Sequence, residues 1–194
     1  MKANQASMKA SGTVRTDTNA GVVELLNERA YTFDSADNAR KYRFARNFAE
    51  GSRPNSIQGI VLDGEPLAVF GAGGGASGVH ECSLVYVLNS LYLAVGDSVV
   101  CVELKPFLFK WVLKTDLATC FGVHFEERKG AFISHGELEI VRFSADGNIL
   151  WRASGANIFT GGFSLKREFI EAVDWNRRVY RFIYHDGREC EGPG

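Results

Sequence analysis

A glycine-rich stretch between two apolar runs has the residue spacing in this chain that is closest to a binding motif. Gly73, Gly75 and Gly78 form the pattern Gly-x-Gly-x-x-Gly after a predicted strand, and His80 follows two residues later. Such a turn binds phosphate when a helix begins where the glycines end, because the helix N-terminus supplies N–H groups. Here an apolar, β-branched run, 79–88, follows instead and predicts a strand. We therefore expect a flexible loop that could cover a small ligand beside His80, and not a nucleotide site.

Histidine and cysteine side chains provide the other candidate chemistry. Cys120 and His124 are four residues apart in a strand-like run, which separates their Cα atoms by about 13 Å and excludes a shared metal or direct proton transfer. His80 and Cys82 lie on one strand face about 6–7 Å apart, which permits a shared ligand. Because a metal site needs further ligands and none lies nearby in the sequence, we predict no metal and no cofactor.

A repeated pattern positions these residues. Gly96 precedes Trp111 by 15 residues (111−96), Gly136 precedes Trp151 by 15 (151−136), and the two pairs are displaced by 40 (136−96). Asn176 occupies the third equivalent position (176−136), and Asn is the commonest substitute for Gly where φ is positive. The pattern therefore predicts one turn that is used three times.

The same 40-residue interval relates a set of polar residues that could form a site. If successive units surround an axis, His80, Cys120 and Thr160 occupy one ring (120−80 and 160−120). A ring at the mouth of the array would make a small polar site beside the glycine-rich loop; alternatively, each residue merely ends a strand. The predicted ligand-binding set is Gly73, Gly75, Gly78, His80, Cys120 and Thr160.

Short strand signals follow one another from residue 57 onward, separated by turns such as Asp63-Gly64 and Asp146-Gly147. The stretches 91–100 and 146–152 resemble blade repeats of pyrroloquinoline-quinone-type and WD-type propellers, in which strands, a glycine turn and a tryptophan recur. The resemblance covers about residues 57–190 and implies a mainly β fold of repeated antiparallel meander units, either propeller-like or an open sheet array. It implies no activity, because the cofactor residues of the quinone enzymes cannot be placed. The tryptophans expected in the core are Trp111, Trp151 and Trp175.

One segment near the start of the chain differs from the β pattern. Tyr42, Ala45 and Phe48 recur at a spacing of three, which predicts one amphipathic helix over about residues 36–49. Its other faces are basic, and we expect either a solvated surface or a docking surface for an acidic partner. The predicted partner-binding residues are Arg40, Lys41, Arg43 and Arg46.

Composition limits the compartment and the partners. The net charge of −1 gives no electrostatic case for binding nucleic acid or a membrane surface. No run approaches the roughly 20 apolar residues of a membrane span, the first residues lack the apolar core of a secretory signal, and the four cysteines favour reduced thiols. We expect a cytoplasmic protein with a loose leader over residues 1–20 and a single β-repeat domain over residues 21–194.

The function expected by elimination is non-catalytic binding of another protein, since no pair of nucleophile and base is visible in the sequence. One version is an immunity-type inhibitor that blocks a toxin enzyme, with acidic strand faces suited to a basic nuclease. The competing class is a small-ligand binder or enzyme that uses the Gly73–Gly78 loop and His80. A structural scaffold is the third possibility. The partner and the oligomeric state are left open by the sequence.

Overall fold

The computed structural model describes residues 12–191, which form sixteen strands in four sheets. We name the sheets A to D in chain order. Sheet A contains, in spatial order, β1 (Thr13–Thr18), β2 (Gly21–Asn27), β4 (Ser56–Leu62), β5 (Glu65–Ala72) and β3 (Phe44–Asn47). Its strands are antiparallel except that β3 pairs in parallel with β5. The Asp63-Gly64 turn joins β4 to β5 with positive φ at both residues, as the hairpin signal predicts.

The other three sheets are antiparallel meanders whose strands lie side by side in chain order. Sheet B contains β6 (Leu84–Val87), β7 (Ser90–Val95), β8 (Ser98–Leu104) and β9 (Phe107–Lys114). Sheet C contains β10 (Cys120–Glu126), β11 (Ala131–Gly136), β12 (Glu139–Phe143) and β13 (Ile149–Ser154). Sheet D contains β14 (Phe163–Leu165), β15 (Phe169–Val173) and β16 (Val179–Ile183). Two single 3-10 turns, Glu81–Ser83 and Glu127–Lys129, complete the regular structure.

Successive sheets pack face to face, like the blades of a propeller. Sheet B is covered on both faces: Leu91 and Leu93 belong to the core shared with sheet A, whereas Tyr92 and Ala94 belong to the core shared with sheet C. A third core, which includes Ile133, joins sheet C to sheet D. Because side chains alternate along a strand, one sheet can serve two cores. Among residues 12–191, no such core joins sheet A to sheet D.

A bulge in the outer strand of sheet B lets that strand contribute to two cores. In sheet B, Cys101 is paired with Trp111 and Val102 with Phe109, so Lys110 is an extra residue. Phe109 therefore faces sheet A, while Trp111 faces sheet C. In sheet C the same irregularity lies just before Trp151, with Leu150 as the extra residue.

The amphipathic helix predicted over residues 36–49 is wrong, since residues 12–191 contain no α-helix. Residues 36–43 form turns and bends, and Phe44–Asn47 is strand β3. The Asn38 side chain fixes this loop by pairing with both backbone polar groups of Thr32. An isolated helix of this length is only marginally stable in water. The packing of Phe44 and Phe48 against Phe70 therefore decides that the segment adopts the extended conformation. No helix in the described part of the chain has the length and apolar character needed to cross a bilayer.

Three further expectations need correction. Strand β1 begins at Thr13, so the leader predicted over residues 1–20 is not loose from that residue on; residues 1–11 lie outside the described range. Trp175 is 69% exposed and is not a core residue. Gly96 has the predicted positive φ of 58°, but Gly136 does not, and at the third turn Arg177 has positive φ in place of Asn176.

Candidate functional site

The glycine-rich loop between β5 and β6 is hydrogen-bonded to neighbouring loops. The Asn55 side-chain amide donates to the Gly74 carbonyl at 2.6 Å, and the Gly75 N–H donates to the Ala118 carbonyl at 2.8 Å. At the end of the loop, the Gly78 carbonyl accepts a bond from the Ser83 hydroxyl at 3.3 Å. The loop is therefore packed against the connection between β9 and β10, in place of the open lid that the sequence suggested.

The space beside these glycines is filled by protein atoms. A Cβ atom at Gly75 would contact the Thr119 hydroxyl, and one at Gly74 would lie 2.7 Å from the Asp97 Cβ. The Asp97 carboxylate also lies next to Gly73, 3.7 Å from the position of a Cβ there. Because Thr119 and Asp97 occupy this space, the glycines do not form an open cradle for a phosphate group.

His80 positions the 3-10 turn that follows the loop. Its Nδ1 accepts a hydrogen bond from the Cys82 N–H at 3.2 Å, and its own N–H donates to the Ser83 hydroxyl at 3.0 Å. Burial lowers the pKa of His80, partly offset by hydrogen bonding to the Phe121 backbone. One imidazole nitrogen is therefore occupied by the backbone, which leaves the other to face strand β10.

Cys120 and Thr160 have surroundings unlike those of His80. Cys120 is fully buried in the core between sheets B and C, with its Sγ 3.8 Å from the Ser134 hydroxyl. Burial raises the pKa of Cys120 to about 11, so the thiol is protonated at neutral pH. Thr160 is exposed in the connection that leads to β14. The three residues precede or begin the first strands of sheets B, C and D and differ in exposure, and the shared polar ring stays a prediction.

Two other histidines form a cluster with Phe163 on the face of sheet C that is turned toward sheet D. The His135 ring stacks on Phe163 with centroids 4.4 Å apart, and the His124 ring lies 4.6 Å from the same phenylalanine. Phe121 packs edge-on against His135 at 5.5 Å. The Nε2 atoms of both histidines are buried and have no hydrogen-bond partner among the described residues. We call His124, His135 and Phe163 the imidazole cluster.

The electrostatics of the imidazole cluster favour neutral rings. Burial, assisted by the neighbouring imidazoles, lowers the pKa of His124 to about 4 and that of His135 to about 3. Burial also raises the pKa of Cys82, which contacts the same strand at Gly122. Weakly basic imidazoles beside a protonated thiol do not form an activated nucleophile. Within residues 12–191, no group of three His, Cys, Asp or Glu side chains has a geometry that could hold a metal ion.

The spacing of His124 and Cys120 within one strand does not reveal the imidazole cluster, because His135 lies on the neighbouring strand. The β10–β11 hairpin pairs Gly122 with His135 and His124 with Ile133, so the two histidines are diagonal neighbours on one face. The alternation of side chains along β10 and β11 places both histidines on the same face of the sheet. The length of the hairpin loop sets the register of the two strands, and that register places the two histidines next to each other.

The basic residues predicted to bind a partner lie on and beside strand β3. Lys41 and Arg43 are exposed, and Arg43 makes only a long contact of 3.9 Å with the exposed Glu65. Arg46 lies over the Phe109 ring at 4.6 Å, which leaves its charge at the surface. Arg40 is bound to Glu28 at 3.0 Å. We call residues 40–53 the basic edge.

The acidic strand faces expected to suit a basic nuclease are neutralised by neighbouring cations. Glu103 pairs with Lys110 at 2.9 Å, and Asp97 pairs with Lys114 at the same distance. Glu139 likewise contacts Arg152. These pairs compensate three of the carboxylates, whereas Lys41, Arg46 and Arg53 of the basic edge have no carboxylate within ion-pair distance among residues 12–191.

No protein-family model matches the chain, and no curated protein matches it. Among solved structures it is similar to the crystal structure of BamB from Moraxella catarrhalis, at 15% sequence identity and a TM-score of 0.49. The match covers 94% of this chain and 61% of that chain, so the present chain spans less than two thirds of that protein.

Proposed function

We propose that this chain is a non-catalytic protein-binding module and that the basic edge is its binding surface. The observation that carries the proposal is an edge strand, β3, which within residues 12–191 pairs on one side only and is surrounded by exposed cations in a chain of net charge −1. Free strand edges and uncompensated charge are both features by which one protein recognises another. The partner is expected to be acidic where it meets this edge.

An immunity-type inhibitor of a toxin enzyme is a finer version of the same proposal. The neutralised acidic faces give no support to a basic nuclease as the target, and the basic edge favours a target with an acidic surface instead. A cytoplasmic location belongs to the proposal as well, supported by four free cysteines, Cys82, Cys101, Cys120 and Cys190.

Binding of a small ligand at the imidazole cluster is the second candidate function. It is favoured by the unpartnered Nε2 atoms of His124 and His135, since buried polar atoms normally have partners. The packing of the glycine-rich loop argues against a role for Gly73, Gly75 and Gly78 as a phosphate cradle. A ligand there would have to contact the imidazole edges directly.

Site-specific photo-crosslinking in the native host tests the proposed function. A photoreactive residue replaces Ala45 in β3, and a matched control replaces Asp17 in β1, the edge strand on the opposite side of sheet A. We expect a discrete crosslinked protein from position 45 and none from position 17. Equal crosslinking from both positions, or none from position 45, would contradict the proposal.

A further inference from the structure

The free edge of β3 has backbone groups that can pair with another strand. Strand β3 runs parallel to β5, with Phe44 opposite Ala68, and the Phe48 N–H donates to the Gly71 carbonyl at 2.7 Å. In a strand, the N–H and C=O of one residue point to the same side, and successive residues alternate. Even-numbered residues therefore bond to β5, whereas the N–H and C=O groups of Ala45 and Asn47 point outward.

Aromatic packing holds this edge in its extended conformation. The Phe44 ring lies 5.3 Å from Phe107 and 5.9 Å from Phe70, and Phe48 stacks on Phe70 at 6.0 Å. Because Phe107 belongs to β9, these contacts tie β3 to sheet B as well as to sheet A. A pre-organised edge loses little conformational entropy when a second strand pairs with it. The side chains of Ala45 and Asn47 lie on the opposite, exposed face.

The charge around the edge selects the partner. The basic edge contains five cations, Arg40, Lys41, Arg43, Arg46 and Arg53, and one carboxylate, Glu50. All five cations belong to exposed residues. Cations on an edge strand discourage pairing with a neutral or basic strand, since like charges opposite each other are destabilising. The same cations attract an acidic strand.

We propose that the outward edge of β3 takes up an extended acidic segment of a partner protein, which adds to sheet A as a further strand. This inference rests on the proposed protein-binding function and names the chemistry of the partner. Backbone bonds to Ala45 and Asn47 supply the pairing, and carboxylates of the segment lie opposite Lys41 and Arg43. A segment that alternates Asp or Glu with β-branched residues fits this arrangement.

Other occupants of the edge fit less well. A second copy of the chain, paired through β3, would bring two basic edges of like charge together, which is unfavourable. A nucleic acid would satisfy the charge but would leave the outward backbone groups of Ala45 and Asn47 without a matching ladder. An acidic peptide strand satisfies both the charge and the ladder.

Fluorescence anisotropy with defined peptides tests the inference on the full chain. The probe is a labelled peptide of alternating Asp and Val, about eight residues long. Its controls are a Lys-Val peptide of the same length, an Asp-Val peptide interrupted by Pro, and a single-stranded oligonucleotide. We expect binding of the Asp-Val peptide alone, weakened by salt because the charges are exposed. Amide hydrogen exchange in the unaltered protein, measured with and without the Asp-Val peptide, reports strand pairing directly. We expect the peptide to protect the Ala45 and Asn47 amides.

Two variants separate the charge from the backbone contribution. Ala45→Pro removes an outward N–H without breaking the ladder to β5, and we expect it to weaken binding about tenfold. Arg43→Glu reverses one charge, and we expect a loss of about fivefold. The matched control Arg167→Glu makes the same change at an exposed residue in the turn between β14 and β15 and leaves the affinity unchanged. Thermal unfolding checks that each variant remains folded.

The inference fails if the Pro-interrupted peptide binds as well as the intact one, if the oligonucleotide displaces the peptide, or if the chain dimerises through β3. It also fails if no peptide binds and the two amides stay unprotected. A crosslink from position 45 in the host would still support the proposed function in that case, so the two failures can be told apart.

Discussion

The indole of Trp151 lies directly against Gly187, where a Cβ atom would come within 2.7 Å of the ring. The Trp151 Nε1–H donates to the Tyr184 carbonyl at 2.9 Å, which fixes the ring over the turn that follows β16. Trp111 makes the equivalent contact with Gly147, and its Nε1–H donates to the Ala145 carbonyl at 3.1 Å. The outer strand of one sheet is thus joined to a glycine turn of the next sheet, twice.

Replacing Gly187 by Ala is expected to destabilise the protein more than replacing another left-handed glycine. Gly187 has φ of 71° and is covered by Trp151, whereas Gly130 has φ of 55° with nothing within 4 Å of a Cβ. We expect a loss of about 3 kcal/mol in the free energy of unfolding for Gly187→Ala and about 1 kcal/mol for Gly130→Ala. Urea denaturation measures both, and equal losses would show that the indole contact contributes little.

Replacing Asp116 by Ala is expected to cost about 3 kcal/mol or more in the free energy of unfolding. Its buried carboxylate accepts bonds from the Ala118, Leu138 and Glu139 N–H groups at 2.6 to 3.0 Å. The substitution leaves these donors without their acceptor. The control Asp17→Ala, at an exposed site in β1, should change stability by less than about 0.5 kcal/mol. A similarly small effect at Asp116 would mean that water replaces the carboxylate.

Acid is expected to destabilise the fold through the imidazole cluster. Burial lowers the pKa of His135 to about 3 and that of His124 to about 4, whereas an unfolded imidazole titrates near 6.5. Below about pH 6.5 the unfolded chain therefore binds more protons than the folded chain, and stability falls with pH until about pH 3–4.

His135→Phe removes one of these groups while keeping a ring against Phe163. Between pH 7 and pH 5, this variant should lose about 1–2 kcal/mol less in unfolding free energy than the parent protein. Denaturation midpoints at the two pH values give the comparison. His185→Phe, at an exposed position, is the control. If the His135→Phe and parent curves run parallel between pH 7 and pH 5, the cluster is not the origin of the acid sensitivity.

Phe44→Ala is expected to release strand β3 without changing its charge. The ring contacts Phe70 of sheet A and Phe107 and Phe109 of sheet B. We expect a loss of about 2–3 kcal/mol in unfolding free energy, with faster amide exchange along residues 44–48. Leu108→Ala, at a half-exposed residue of the same β9 strand, should have little effect. Unchanged exchange in Phe44→Ala would show that the ladder to β5 alone holds the strand.

The repeated β signals predicted most of the architecture, because turn residues and two-residue alternation act locally. The Asp63-Gly64 hairpin and the contribution of Trp151 to the core could be inferred in this way. The segment 36–49 could not, since its spacing fits a helix and only distant phenylalanines of β5 and β9 select the strand. The sequence also does not show why position 136 is a glycine. The missing Cβ makes room for the Asp116 carboxylate, a contact between residues 20 positions apart.

The site residues were predicted less well than the fold. The interval of 40 residues relates His80, Cys120 and Thr160 in the sequence but carries no information on their burial. His124 and His135 meet because two adjacent strands have a particular register, which no interval within one strand can reveal. The positive charge of residues 40–53 was visible in the sequence, whereas the strand edge beneath it was not.

The extra residue before each tryptophan makes β9 and β13 unusually sensitive to changes in chain length. Deleting Lys110 would restore strict alternation, and the indole of Trp111 would turn away from Gly147 toward the opposite neighbour. Such a deletion reverses the facing of side chains in one short strand. It would leave a cavity in the interface with one neighbouring sheet and overpack the interface with the other. Tolerated deletions should therefore fall in surface turns, and variants that lack Lys110 or Leu150 should be absent from any library selected for folded protein.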